Sequence, residues 1–238
     1  MQMITASHEG LVRVNNEDCV KVVAATEHTP AFAVIADGMG GLMGGEDASH
    51  TAVEAVRVAI CDASMPVSEP QHLIEVVQFA HRRVVDYAQE LNYYGRMGTT
   101  LLIWVETAQG GIFGHVGDSR LYGFDGEAVS QFSHDHTVAQ RLEDNGLIGP
   151  GKARFHRQKH VLTQAVGLPG LVQPQVGSIS ACKRLLLCTD GLSDLVNDNK
   201  IAACLQLEEL EAAAGELVRH ALDEGGKDNI SLALIQSR

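Results

Sequence analysis

The chain has 238 residues, 45% of them hydrophobic and 20% charged, a balance that supports a sizeable folded core and excludes disorder. Its formal net charge of −12 argues against nucleic acid as a partner, because that affinity comes mostly from neutralising phosphates. An anionic small substrate would need positive charge supplied locally, by metal ions or by a basic patch.

The N-terminal MQMITASHEG has neither a basic flank nor an apolar stretch of the signal-peptide kind, and apolar runs such as 101–105 and 185–188 are far too short to cross a bilayer. A cytoplasmic protein with no membrane association is expected. Cys19, Cys61, Cys182, Cys188 and Cys204 form no Cys-x-x-Cys pair, so they read as reduced, buried thiols. Strand-length apolar runs recur at 18–25, 31–36, 99–105, 111–116, 120–124, 128–132, 176–180, 184–188 and 230–235. Several are joined by short links, which favours antiparallel pairing. A first helix is predicted over 46–60, with Ala48, Ala52, Ala55, Val56 and Ala59 on one face. A second opens at Glu69-Pro70 and carries Leu73, Val77, Ala80, Val84, Tyr87 and Leu91 at helical spacing. A third is predicted over 207–222. No repeat or linker interrupts the series, so 1–238 reads as one domain of α+β class: antiparallel sheets packed together as a central sandwich, with helices covering both outer faces.

Four aspartates share one placement. Asp37 follows AFAVIA, Asp118 follows IFGHVG, Asp190 follows RLLLCT, and Asp228 directly precedes the apolar run NISLALI. Carboxylates at strand ends can converge on one rim, and hard divalent cations take such clusters of carboxylate and carbonyl oxygens. Two cations held together can polarise a phosphoryl group and activate water. A competing reading is local, because Asp-Gly after an apolar strand is also a common hairpin turn. Asp125-Gly126, between RLYGF and EAVSQF, reads as such a turn. Asp37-Gly38 differs in running into a glycine-rich loop and a helix, and Asp190-Gly191 in running into GLSDLV, a helix start. Glycines in the first loop would permit positive φ and a close approach of the main chain to a ligand. The segment carries no P-loop Lys-Ser or Lys-Thr and fails the dinucleotide G-x-G-x-x-G pattern.

Taken in order, Arg13 with Glu17-Asp18, ADGMGG with Gly45-Glu46, Gly98-Thr99-Thr100, VGDSR at 116–120, LTQAVG at 162–167, CTDGL at 188–192 and Asp228-Asn229-Ile230 resemble the metal-dependent protein phosphatase family, the PPM or PP2C type, and most of all its short bacterial serine/threonine members. The resemblance runs from Gly10 to the last strand. It implies a binuclear Mg²⁺ or Mn²⁺ centre in which Asp37 bridges two ions, the Gly38 carbonyl serves one, and Asp190 and Asp228 complete the other. It further implies that Asp18 and Glu17 hold metal-bound waters, that Asp118 belongs to a third metal site, and that Arg13 clamps the substrate phosphate. The implied reaction is hydrolysis of phosphoserine and phosphothreonine in proteins by metal-activated water, without a phosphoenzyme, by a monomer that opposes a serine/threonine kinase.

The chain departs from the family at two positions. Met39 stands where vertebrate members carry a histidine thought to protonate the leaving oxygen, and a metal-bound water is the expected substitute. Leu42, also in place of a frequent histidine, is expected to pack. Residues 133–160 correspond to a variable flap beside the site. Its second half holds Lys152, Arg154, Arg157 and Lys159 with no acidic residue, so it reads either as a solvated loop or as a grip on the phosphopeptide. The His134-Asp135-His136 triplet reads as loop chemistry, and the other histidines, His8, His50, His81 and His115 among them, as surface or packing residues. Three rival readings are weighed. A catalytically inactive signalling module is opposed by the complete carboxylate set. A phosphatase with an aspartyl nucleophile is opposed by the absence of Asp-x-Asp at 37–39. A calcium-binding module is opposed by the absence of a ligand loop of the EF-hand kind.

Overall fold

The computed structural model describes residues 1–39, 44–62, 67–180 and 182–236. Gly40, Gly41 and Leu42, and with them the expectation that Leu42 packs, lie outside the described residues.

Two five-stranded antiparallel sheets face each other. One runs β1 (Gln2–His8), β10 (Ile230–Gln236), β9 (Arg184–Cys188), β6 (Arg120–Phe124), β7 (Val129–Gln131), and the other runs β2 (Asp18–Val23), β3 (Phe32–Asp37), β4 (Leu101–Thr107), β5 (Gly110–Val116), β8 (Gln175–Ile179). The alternation of side chains along a strand explains why the inner strands read as unbroken apolar runs. On β3, Ala33 and Ile35 join Trp104, Phe113, Leu121, Leu187 and Ala233 between the sheets. Its neighbours Phe32, Val34 and Ala36 point the other way, onto α1 (Gly45–Cys61) and α2 (His72–Glu90). The first sheet does the same on its outer face, where Leu186, Leu232 and Leu234 pack on α4 (Asp190–Ser193), α5 (Asp198–Leu205) and α6 (Leu210–Asp223). The expected α+β sandwich with helices on both outer faces is therefore present.

The differences from expectation are local. Strand β1 is an edge strand whose residues are exposed or half-buried, so it lacks the apolar run that marks the inner strands. The third predicted helix begins three residues late, at Leu210. Helix α3 (Val138–Asp144) lies inside the flap and is capped by Thr137, whose hydroxyl accepts from the Gln140 N–H at 3.1 Å. The segment 133–160 is thus partly helical, with a short 3-10 turn at Ala153–Phe155. All five cysteines are free, but only Cys188 and Cys204 are buried and Cys61 is exposed, which corrects the expectation of buried thiols. Asp125-Gly126 is the turn between β6 and β7: the Asp125 carboxylate accepts from the N–H groups of Glu127 and Ala128, and Gly126 takes φ 120°.

Candidate metal centre

The antiparallel pairing of β2 with β3 sets Asp18 directly opposite Asp37. Like charges facing each other across a ladder are destabilising, so this pairing needs a compensating reason. The end of β3 is held in place by its neighbour β4. The Asp37 N–H donates to Thr100 Oγ1, and the Asp37 carbonyl accepts from both the Thr100 N–H and the Thr99 hydroxyl, each at 2.9 Å. In the facing sheet, β9 ends and β10 begins at the same rim, which brings Asp190 and Asp228 toward the pair.

The electrostatics register this convergence. Burial, then the charges of Asp18, Asp190, Asp118 and Asp228, pushes the Asp37 carboxyl well above the usual range. Burial also raises Asp18, to about 7; the hydroxyls of Ser231 and Thr189 oppose the shift, and the charges of Asp190 and Asp228 add to it. Asp118 is raised by burial and then by Asp190, Asp135 and Asp194. Thr189 Oγ1 donates to Asp18 Oδ2 at 2.9 Å, while the buried Asp18 Oδ1 has no partner. An unpaired buried carboxylate oxygen costs several kcal/mol in order of magnitude, unless a cation or its water meets it. Carboxylates with a backbone carbonyl beside them are the donor set of hard divalent cations, so these residues fit such a centre.

Two further residues stand close to Asp190. His160 Nδ1 lies 3.3 Å from Asp190 Oδ2 and 3.4 Å from Asp194 Oδ2. Among the described residues these three form the one group of carboxylate and imidazole atoms lying mutually within 4.8 Å. Asp37, Asp190 and Asp228 form no such group, though the charges of Asp190 and Asp228 both act on Asp37. His160, expected at the surface or in packing, is exposed at the end of the flap and is also tied to the site together with Lys159, whose Nζ pairs with Asp194 at 2.8 Å. Asp194, absent from the expected ligand set, stands four residues after Asp190 in the helix start, a spacing that places both on one face. Of the other basic flap residues, Arg154 lies over the Phe155 ring and, with Lys159, lines a small cavity that also touches Asp118 and Asp190. Neither Lys152 nor Arg157 lines that cavity. The base of the flap is fixed by His136, whose N–H donates to the Gly117 carbonyl at 2.7 Å, and by the Arg120–Asp135 ion pair at 2.6 Å.

On the opposite side, Arg13 Nη2 pairs with Asp228 Oδ2 at 2.8 Å in a half-exposed position. Its loop is laced to the rim by Asn229. That side chain accepts from the Glu17 N–H and donates to the carbonyls of Glu9 and Asn15, all at 2.9 Å. Both amide hydrogens and the carbonyl oxygen are engaged, and the residue is 5% exposed. In the sequence Asn229 is marked only by its place in the Asp228-Asn229-Ile230 motif.

Gly38 serves close approach rather than positive φ. A Cβ there would stand 2.6 Å from the Glu17 carbonyl oxygen and collide with the Gly45 carbonyl, whereas among the described residues of this loop the positive φ is taken by Gly44, at 79°. Because both obstacles are backbone, Gly38→Ala is expected to cost at least ~1–3 kcal/mol and to weaken divalent-ion binding. Thermal unfolding with and without Mn²⁺ measures both effects.

A model of the family described as protein phosphatase 2C matches residues 7–229. Protein phosphatase PhpP of Streptococcus pneumoniae is 32% identical over 241 residues, covering 99% of this chain and 97% of that protein. Serine/threonine protein phosphatase PstP of Mycobacterium tuberculosis is 34% identical over 234 residues, covering 96% of this chain and 43% of PstP. Among solved structures, Stp1 of Staphylococcus aureus superposes with a TM-score of 0.90 at 28% identity, covering 100% of this chain and 95% of that one. The catalytic domain of PstP in complex with two manganese ions superposes with a TM-score of 0.82 at 33% identity, covering 98% of this chain and 96% of that one.

Proposed function

Because the chain belongs to the protein phosphatase 2C family, we propose that it is a serine/threonine protein phosphatase whose rim of aspartates holds two divalent ions, Mn²⁺ or Mg²⁺. The observation that carries this reading is the meeting of Asp18, Asp37, Asp190 and Asp228 from four chain segments around a carboxylate oxygen that no protein group satisfies. When bound, the ions supply Lewis acidity toward phosphoryl oxygens and activate water.

The roles fall to this chain's own residues. Asp37, the Gly38 carbonyl, Asp190 and Asp228 would hold the two ions, and Asp18 and Glu17 would orient their hydration. Asp118, beside Asp190, would contribute to a third site. The Arg13 guanidinium is anchored by Asp228 at the mouth and faces the incoming phosphate, where its planar fork suits the phosphoryl oxygens. Met39 has no proton to give to the leaving oxygen. The basic flap residues Lys152, Arg154, Arg157 and Lys159 lend positive field to an anionic substrate approaching a −12 protein.

The whole chain, 1–238, acts as one domain with 133–160 as its flap. It works as a cytoplasmic monomer that reverses a serine/threonine kinase, with no nucleic-acid or membrane partner; no described helix is long and apolar enough to cross a membrane. Matched phosphoserine, phosphothreonine and phosphotyrosine peptides test the proposal. Hydrolysis of the first two is expected with Mn²⁺ or Mg²⁺, and loss of it with EDTA. Inactivity of the wild type with both metals would reject it.

A further inference from the structure

Beside Gly38 and Met39 lies a groove of about 170 Å³ with no charged residue in its lining. We propose that this groove, formed by Met39, Leu162, Ala165, Leu168, Leu171 and Val172, receives an apolar side chain of the phosphoprotein within three residues of the phosphorylated serine or threonine, an inference that rests on the phosphatase reading.

The groove is preformed and shares its scaffold with the rim. Thr99, whose hydroxyl donates to the Asp37 carbonyl, exchanges both backbone hydrogen bonds with Val166 in the groove loop, at 3.0 and 2.9 Å. The loop is closed on itself by Gln164: its Oε1 accepts from the Gln173 N–H and its Nε2 donates to the Gln173 carbonyl, both at 3.0 Å. The loop is also tied to α2, where Gln78 Nε2 donates to the Val172 carbonyl at 2.6 Å and His81 Nδ1 accepts from the Gly167 N–H at 3.2 Å. The turn needs glycine at 167, which takes φ 91° with Val84 against its α-carbon.

A loop held this firmly nonetheless leaves Leu171 88% exposed at its lip. The groove opens next to Met39, whose N–H is fixed to the Gly98 carbonyl one residue beyond the carbonyl assigned to an ion. A peptide whose phosphate lies on that rim must lay its neighbouring residues across the adjoining surface, since one extended residue advances about 3.5 Å. Arg154 and Lys159 of the flap line a separate cavity beside Asp118 and Asp190, whereas this groove offers only apolar and neutral groups, so the two suit different parts of a bound peptide. The volume suits one aliphatic side chain, Leu, Ile or Met, and a fixed pocket takes it without an ordering cost.

The test compares phosphothreonine peptides with Leu, Ala or Glu placed singly at each position from three before to three after the phosphoresidue, alongside p-nitrophenyl phosphate, which has no flank. The wild type is expected to prefer Leu over Glu by roughly tenfold in kcat/KM at one or two of these positions, mostly through KM. Leu171→Glu, at an exposed position, should abolish that preference and leave p-nitrophenyl phosphate hydrolysis unchanged. Leu162→Ala should reduce the preference about threefold. No preference at any position, or an equal loss for Leu and Glu peptides in Leu171→Glu, would overturn the inference while the phosphatase reading stands. Failure of the wild type to hydrolyse p-nitrophenyl phosphate with Mn²⁺ would overturn both.

Discussion

Asp190→Asn is expected to lower kcat/KM at least ~10³-fold, equally on phosphopeptides and on p-nitrophenyl phosphate. The equality matters, because a residue that acts on the reacting phosphoryl group through bound ions cannot distinguish substrates by their flanks. Asp190 begins α4 at the end of β9, and its charge raises Asp18, Asp37 and Asp118 at once. An amide of the same shape keeps the helix start but withdraws an anionic ligand from the centre and a partner from His160. Asp125→Asn, at the other Asp-Gly on a strand end, serves as the comparison. That side chain only accepts two turn N–H groups, a role an asparagine oxygen performs as well, so activity should stay within twofold of wild type. A loss of less than tenfold for Asp190→Asn, or similar losses for both variants, would remove Asp190 from the metal centre. Circular dichroism of both proteins separates lost activity from lost fold.

The same comparison shows what a sequence exposes and what it hides. Buried on both faces, β3, β4, β9 and β10 leave unbroken apolar runs, and an aspartate at the end of such a run announces a rim. What the dipeptide Asp-Gly does there depends on the next element, and that too was legible: a strand follows Asp125, and a helix follows Asp190. By contrast, β1 gains its place through pairing with β10, residue for residue from Gln2 to His8, and pairing at an edge leaves no hydrophobic signature. Long-range polar contacts were likewise hidden. His160 reaches Asp190 across 30 residues, and Asn229 gathers Glu9, Asn15 and Glu17 across more than 200; no periodicity encodes either. The sense of Gly38 was half visible: a special backbone position could be read, but the crowding of three chain segments around it could not.

Without metal, the rim should weaken the fold as pH rises, and Mn²⁺ should reverse this. Asp18, at about 7 in the folded chain, lies above its ordinary value of 3.8, and Asp37 and Asp118 are raised as well. Groups raised on folding hold more protons in the native state, so their contribution is fully present below the unfolded value and is lost as pH climbs through the folded one. For Asp18 alone this is on the order of a few kcal/mol between about pH 4 and 7. His115 and His136 slope the other way. Burial lowers them to about 3 and about 4, so they remove stability as pH falls below about 6.5. Comparing Mn²⁺ with EDTA at each pH cancels the histidines, which stand outside the proposed ligand set. The Tm gain from Mn²⁺ is therefore expected to be small at pH 5 and to increase steadily to pH 8, as ions displace protons from the carboxylates. Asp18→Asn should raise Tm in EDTA, most of all above pH 7, because it removes a buried anion that has no cation to meet. A Tm gain from Mn²⁺ that stays flat or shrinks toward pH 8 would mean that the ions bind elsewhere, since protons and divalent cations at this rim compete for the same oxygens.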